Sequence, residues 1–218
     1  MLLLAAGEGV RLDNGTPKAF VELCGVPILR RAAQAASDAD LVDALVVAVP
    51  AGLEARADEV LHELGKPVTV VAGGSTRQAS AAAALVLAPD AEAVAVHDAA
   101  RALCPSTLFD VCLRELDDCE AVCPGVPVAD TIKELLEDEI TRTLDRTRLA
   151  AAQTPQTFRT EVYRRAHEAA AREGVDATDD AALVERLGVT VRVVPGDLGN
   201  LKITTEQDLA IAEALLRR

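Results

Sequence analysis

Short, unbroken apolar runs alternate with alanine-rich amphipathic stretches, and no other feature constrains the fold of this chain as tightly. Runs such as Leu45-Val46-Val47-Ala48-Val49 and Val94-Ala95-Val96 carry no polar residue at every second position. Strands built from them are therefore buried on both faces, as in a parallel sheet covered by helices. Strands are expected at 2–6, 44–49, 67–72, 93–97, 121–123, 189–195 and 201–204. Helices are expected at 28–36, 53–64, 77–87, 106–116, 161–172, 179–187 and 206–216. This rhythm gives an α/β fold, a Rossmann-like doubly wound and mostly parallel sheet that binds ligands outside the carboxyl ends of its strands. A chain of 218 residues, half of them hydrophobic, is long enough for one domain spanning 1–218.

One stretch breaks the rhythm. Residues 126–149 are polar and charged, and read as two β-type segments around the acidic turn Glu137-Asp138-Glu139. The expectation is a β-hairpin arm projecting from the body. A hairpin that packs on nothing is marginally stable, so the arm suggests a second copy of the chain as its partner.

Composition narrows the function classes. The formal charge of −13 leaves no basic footprint for nucleic acid, and four aromatic residues offer no stacking platform. An acidic protein that binds a polyanion must gather its few cations locally or use a metal. Lysine is scarce: Lys18, Lys66, Lys133 and Lys202 stand against eighteen arginines. Each lysine is therefore a candidate for a specific task, although chance placement serves for Lys66. Five cysteines without a CxxC pair, and three scattered histidines, give no zinc pattern and point to a reduced, intracellular setting. No signal-type or membrane-spanning run is present, so a cytoplasmic protein with no membrane partner is expected.

Four segments could carry chemistry. The first is Ala5-Ala6-Gly7-Glu8-Gly9-Val10-Arg11 with Pro17-Lys18. Its glycines allow close backbone approach to a phosphate, and Arg11 and Lys18 are spaced to meet one anion. Leu12 stands where GxGxxG needs its third glycine, and no GK[ST] follows, so dinucleotide and P-loop motifs both fail. The plain alternative is a glycine turn with a solvent-facing Arg11. The second segment is 73–80, GGSTRQAS, another anion or base-edge site at a helix start, or else a tight turn with Ser75 capping the helix. The third is His97-Asp98-Ala99-Ala100-Arg101 after an expected strand. Asp98 sits where a metal bridging a triphosphate would be wanted, and Arg101 could bind an anion, unless the two merely pair with each other. His97 reads as a packed histidine. The fourth comprises 153–158, 178–181 and 199–204. Thr178 reads as a helix N-cap. Lys202 alternates with Leu201 and Ile203, so it faces away from them and has an anion to meet.

Together, LAAGEGVRL with PK, GGSTRQAS, HDAAR, PVADTIK, DR, QTPQTF, TDDA and NLKIT run in order over nearly the whole chain. They resemble the 2-C-methyl-D-erythritol 4-phosphate cytidylyltransferases, CTP-using enzymes of the non-mevalonate isoprenoid pathway. The resemblance implies that Ala5, Ala6, Gly7, Gly9 and Ala99 bind CTP, with Arg11 and Lys18 on its phosphates. It implies that Gly74, Ser75 and Ser80 read cytosine and ribose, and that Asp98 holds Mg²⁺ or another divalent cation. Arg101, Thr154, Thr178 and Lys202 would lie by the polyol phosphate. Thr131 and Arg146 would reach the substrate of the neighbouring subunit in a homodimer. Arg11, Lys18, Arg146 and Lys202 would be the catalytic set.

The implied reaction is attack by a phosphate oxygen on the α-phosphorus of CTP, expelling pyrophosphate. It needs no general base, which suits a chain without a Ser–His or Cys–His pair. Departures from the pattern are a first strand beginning almost at Met1, Glu8 in place of a small or apolar residue, and Ala102 in place of proline. The alternatives are a ribitol-5-phosphate cytidylyltransferase, another sugar-phosphate or molybdopterin nucleotidyltransferase, and a nucleotide-binding regulator without catalysis. Retention of Arg11, Lys18, Asp98 and Lys202 together speaks against the last.

Overall fold

Apolar runs without alternation become strands clamped between two helical layers. In this computed structural model, which describes residues 1–7, 16–88 and 90–217, the strands are β1 (Leu2–Leu4), β2 (Glu22–Leu23), β3 (Val26–Pro27), β4 (Leu45–Val49), β5 (Val68–Ala72), β6 (Ala93–Asp98), β7 (Ala121–Pro127), β8 (Lys133–Leu136), β9 (Glu139–Thr143), β10 (Ala150–Ala152), β11 (Gln156–Arg159) and β12 (Arg192–Pro195). The helices are α1 (Ile28–Ser37), α2 (Glu54–Leu61), α3 (Arg77–Val86), α4 (Ser106–Arg114), α5 (Thr160–Glu173), α6 (Asp180–Glu185) and α7 (Glu206–Leu216).

The main sheet runs β10-β7-β11-β6-β1-β4-β5, with β12 also on β7. β1 pairs in parallel with β4 and β6, β4 with β5, and β12 with β7. β10 and β11 run antiparallel to their neighbours. Successive side chains of a strand point to opposite faces, and the core divides accordingly. Leu3, Val47 and Val49 join Leu29, Ala32 and Ala36 of α1, Leu61 of α2 and Phe109 of α4. Leu2, Leu4, Val46 and Ala48 join Ala81 and Ala84 of α3, Tyr163 of α5 and Val184 of α6. Phe158 stacks on Tyr163 with ring centroids 4.8 Å apart. The doubly wound, mostly parallel fold read from the sequence is therefore present.

The arm is present as well. β8 and β9 form a separate two-stranded sheet in which every residue is exposed, Leu135, Leu136 and Ile140 included. β7, however, runs on to Pro127, so the expected start of the arm at 126 still belongs to the main sheet.

Other boundaries differ from expectation for identifiable reasons. Residues 201–204 are not a strand. Their alternation is real, with Ile203 buried and Lys202 half exposed, but the main tie to neighbouring backbone is Ile203 N–H to the Ala100 carbonyl at 2.9 Å. β12 begins at Arg192 rather than 189, α2 stops at Leu61, and α6 covers only Asp180–Glu185. β11 was hidden from hydrophobic pattern reading because two of its three buried residues are polar and internally satisfied. Thr157 Oγ1 donates to the Cys112 carbonyl at 2.9 Å, and Gln156 bonds both Asp179 Oδ2 and the Ala181 amide. The β2–β3 hairpin turns on Cys24 and Gly25, both at positive φ. No helix among the described residues is long and apolar enough to cross a membrane.

Candidate active site

The carboxyl ends of β1, β5 and β6 open into a cavity of about 470 Å³, a size suited to a small-molecule ligand and placed where doubly wound folds bind one. It gathers Ala5, Ala6, Gly7, Lys18, Gly74, Ser75, Ser80, Asp98, Ala99 and Lys202, all named from the sequence, together with Arg77. Gly9 and Arg11 lie outside the described residues, as does Glu8.

Packing dictates the two glycines after β5. A Cβ on Gly73 would overlap the Ala6 side chain and come within 2.9 Å of Ser80 Oγ, and one on Gly74 would overlap Ala79. The loop thus lies directly against the loop that follows β1. Ser80 is buried and committed: its hydroxyl accepts from Gly74 N–H at 3.1 Å and donates to the Thr76 carbonyl at 2.9 Å. It fixes the shape of the loop. Thr76, not Ser75, caps α3 by accepting the Ala79 N–H at 3.0 Å, which leaves Ser75 on the cavity wall. Thr76→Ala should therefore lower stability by about 1 kcal/mol, read as a shift in the denaturation midpoint at unchanged slope.

Asp98 ends β6 and is the hub of the site. Its Oδ1 accepts from Arg77 Nε at 2.9 Å and its Oδ2 from Lys202 Nζ at 2.7 Å. Arg77 also reaches Asp180 Oδ2 at 2.6 Å, and Tyr163 Oη donates to Asp180 Oδ1 at 2.5 Å. Burial alone would raise the Asp98 carboxyl, but Arg77 and Lys202 pull it well below the usual carboxylate range. Burial likewise opposes the charge on Arg77, yet Asp180 and Asp98 outweigh it and hold the guanidinium firmly protonated. The alternative of a self-satisfied Asp98–Arg101 pair is not realised, because Asp98 pairs with Arg77 and Lys202 instead. Sequence reading missed Arg77 and Asp180 as a pair. The signal was available in TDDA, where an aspartate expected to start a buried helix needs a cation.

Lys18 sits on a short 3₁₀ turn, Lys18–Phe20, and lines the cavity. Burial and then the charge of Lys202 lower its affinity for a proton. Scarcity does not mark out the other two lysines: Lys66 bonds the Ala39 carbonyl and Lys133 bonds Thr143 in the arm, both away from the cavity.

Other named residues stand behind or beyond the cavity wall. Arg101 donates to the Asn200 carbonyl at 2.7 Å and the Ala152 carbonyl at 3.2 Å. Thr154 is buried against Asp98 and His97. Thr131 and Arg146 are exposed at the base of the arm, where Arg146 bonds the Ala129 carbonyl. Thr178 is exposed and does not cap α6; Asp179 does, accepting the Ala182 N–H at 2.8 Å.

The donor set limits what metal could bind. No group of three or more His, Cys, Asp or Glu is placed to hold an ion among the described residues. Magnesium commonly takes one or two carboxylates and completes its shell with water and substrate phosphates. Asp98 has two of its roughly four lone-pair directions filled, so it fits an ion that arrives with a polyphosphate and takes a single protein oxygen. Cys112 and Cys123 are unsuited to nucleophilic chemistry, since burial pushes Cys112 up to about 12 and Cys123 up to about 11.

Comparison with known proteins agrees with this geometry. A family model described as 2-C-methyl-D-erythritol 4-phosphate cytidylyltransferase matches residues 1–218. A protein of that name from Rhodococcus opacus is 49% identical over 218 residues, covering 99% of this chain and 93% of its own length. The crystal structure of such an enzyme from Thermus thermophilus superimposes with a TM-score of 0.83 at 36% identity, covering 100% of this chain and 98% of that one. A 4-diphosphocytidyl-2C-methyl-D-erythritol synthase from Anaerococcus prevotii gives a TM-score of 0.90 at 27% identity, covering 100% and 95%.

Proposed function

The chain belongs to the 2-C-methyl-D-erythritol 4-phosphate cytidylyltransferase family, and we propose that the cavity around Asp98 is where it performs that reaction. The protein is a nucleotidyltransferase that moves CMP from CTP to 2-C-methyl-D-erythritol 4-phosphate, releasing pyrophosphate, in isoprenoid biosynthesis. The ribitol-phosphate alternative is not favoured, since the family model and the named relatives all carry the methylerythritol substrate.

The observation that carries the site assignment is the meeting of Lys18, Lys202, Asp98 and the Gly74–Ser75 loop around one cavity of nucleotide size. Backbone groups at Ala5–Gly7 and Gly74 line the nucleotide, close enough because the adjoining loops lack the side chains that would hold it off. Lys18 and Lys202 face the triphosphate, with Arg11 as the third cation. The attacking oxygen belongs to a phosphate monoester that is already anionic, so no base is needed. Catalysis rests on alignment of the two phosphates and on preorganised positive charge at the α-phosphorus. Asp98 would hold the Mg²⁺ that accompanies CTP, and the ion supplies further charge neutralisation on the phosphates. Arg77, itself held by Asp180, and Lys202 keep the Asp98 carboxylate ionised and aimed.

The polyol phosphate requires more cations than the cavity wall offers. Arg146 sits beside an arm whose Leu135, Leu136 and Ile140 are exposed, an arrangement that suits a homodimer in which the arm of one subunit closes the site of the other. Arg146→Ala should leave CTP affinity unchanged by calorimetry and raise the KM for the polyol phosphate roughly tenfold or more, the worth of one charged hydrogen bond. Heterodimers of Lys18→Ala and Arg146→Ala subunits, purified by two tags, should regain about half of wild-type activity, because one of the two sites is then built from unmutated parts. Activity no higher than that of the single variants would place Arg146 in its own subunit's site and refute the arm assignment.

A further inference from the structure

His97 is fully buried, its ring edge-on to Phe109 with centroids 4.9 Å apart, and both of its nitrogens face site residues. Nδ1 lies 2.9 Å from Thr154 Oγ1, and Nε2 lies 3.3 Å from the Arg101 carbonyl. Thr154 Oγ1 in turn accepts the backbone N–H of Asp98 at 3.1 Å. With the ring neutral, these contacts leave one consistent set of protons. The carbonyl of Arg101 can only accept, so Nε2 must carry a hydrogen. The Thr154 hydroxyl has one hydrogen and already accepts from Asp98. Nδ1 is the available acceptor for that hydrogen, and is therefore bare.

We infer that His97 is a positioning residue for the transferase reaction. Its neutral, Nε2-protonated ring links Asp98, Thr154 and Arg101 in a single directed chain, running from Asp98 N–H through Thr154 O–H to the ring and on to the Arg101 carbonyl. This inference rests on the cavity around Asp98 being the active site. It gives each residue of HDAAR that bears a polar side chain a defined task. Asp98 is held at its carboxylate by Arg77 and Lys202 and at its amide by Thr154. Arg101 is held at its amide by the Asp98 carbonyl at 2.9 Å, at its carbonyl by His97, and at its guanidinium by Asn200 and Ala152. The chain also changes the role of Thr154. Its hydroxyl hydrogen is committed to His97, so it can accept from substrate but cannot donate, and its effect on the substrate is chiefly through Asp98. A histidine is required because no other side chain of that shape presents an acceptor on one ring edge and a donor on the next. Asparagine keeps only the nearer of the two contacts, glutamine the farther one, and phenylalanine neither.

Two measurements on the full-length protein test the inference. Long-range ¹H–¹⁵N correlation spectra of histidine-labelled protein, with His97 assigned by its loss in His97→Phe, should show a pyridine-like Nδ1 and a pyrrole-like Nε2. A protonated Nδ1 would overturn the inference whatever the activity. In steady-state kinetics, His97→Phe should lower kcat/KM for the polyol phosphate by roughly 10–100-fold, the usual effect of removing a group that orients site residues. His97→Asn, which keeps the Thr154 acceptor, should recover part of that loss. Wild-type kcat/KM in folded His97→Phe would show that the ring only fills space. Absence of turnover in the wild-type protein would instead refute the functional reading, while the tautomer measurement would still decide the hydrogen-bond chain.

Discussion

Lys18→Ala should lower kcat by roughly 10²–10³-fold while changing the KM for CTP far less, as for other preorganised charges that act mainly in the transition state. The way Lys18 is held sets the size of the effect. It lines the cavity on a short turn, partly desolvated and beside the charge of Lys202, and both effects disfavour its ammonium form. A cation that has lost water and faces another cation gains most when negative charge arrives between them. In the proposed reaction negative charge builds on the leaving pyrophosphate and is spread over the equatorial oxygens of the α-phosphoryl group in the transition state. Stopped-flow or steady-state pyrophosphate release measures the effect directly. A variant with unchanged kcat and only a raised KM for CTP would make Lys18 a ground-state contact and remove it from the catalytic set.

The second large effect belongs to Asp98. Asp98→Asn should cost roughly 2–4 kcal/mol of stability, somewhat less than breaking a fully buried pair because Lys202 is half exposed. The amide leaves Arg77 and Lys202 facing each other with no shared anion, and Asp180 becomes the sole carboxylate for Arg77. The pH dependence gives the sign. The folded-state pKa of Asp98 is depressed below the ordinary carboxylate value, so its contribution is complete above about pH 4. That contribution is lost as pH falls below that point, when the unfolded chain takes up a proton that the folded chain refuses. Wild-type stability should therefore fall more steeply below about pH 4 than that of Asp98→Asn, so that the two converge in acid. Parallel curves from urea denaturation across this range would mean that the carboxylate is not stabilised by its two cations.

The layered fold was legible because it depends on pattern. Leu2 to Leu4 and Leu45 to Val49 show no alternation, which is the signature of strands buried on both faces, and the structure sends their successive side chains to opposite cores. What pattern could not supply was antiparallel β11. Its buried Gln156 and Thr157 look like loop residues, and they are tolerated inside only because α6 and α4 supply hydrogen-bond partners distant in sequence. Residues 201–204 erred in the opposite direction: apolar alternation was present, but no strand among the described residues pairs with it. Burial pattern reports which side faces the core. It does not report whether a ladder exists.

The site divided in the same way. Scarcity singled out Lys18 and Lys202 before any geometry was known, and both line the cavity. Position at the carboxyl end of an expected strand supplied Asp98. The pairings were not legible, because Arg77 with Asp180, and His97 with Thr154, join residues from separate elements whose proximity is created by the sheet order. Capping was misplaced by one residue at both α3 and α6, where adjacent Ser75-Thr76 and Thr178-Asp179 each offer two chemically adequate caps. Ser75 is thereby left on the cavity wall and Thr178 exposed to solvent.

The most direct test of the central claim is a pyrophosphate-release assay of the full chain with CTP and Mg²⁺, comparing 2-C-methyl-D-erythritol 4-phosphate with ribitol 5-phosphate, and ATP, GTP and UTP in place of CTP. The account predicts rapid release that requires both CTP and the methylerythritol substrate. Equal or faster release with ribitol 5-phosphate, or no release with the methylerythritol substrate, would contradict it.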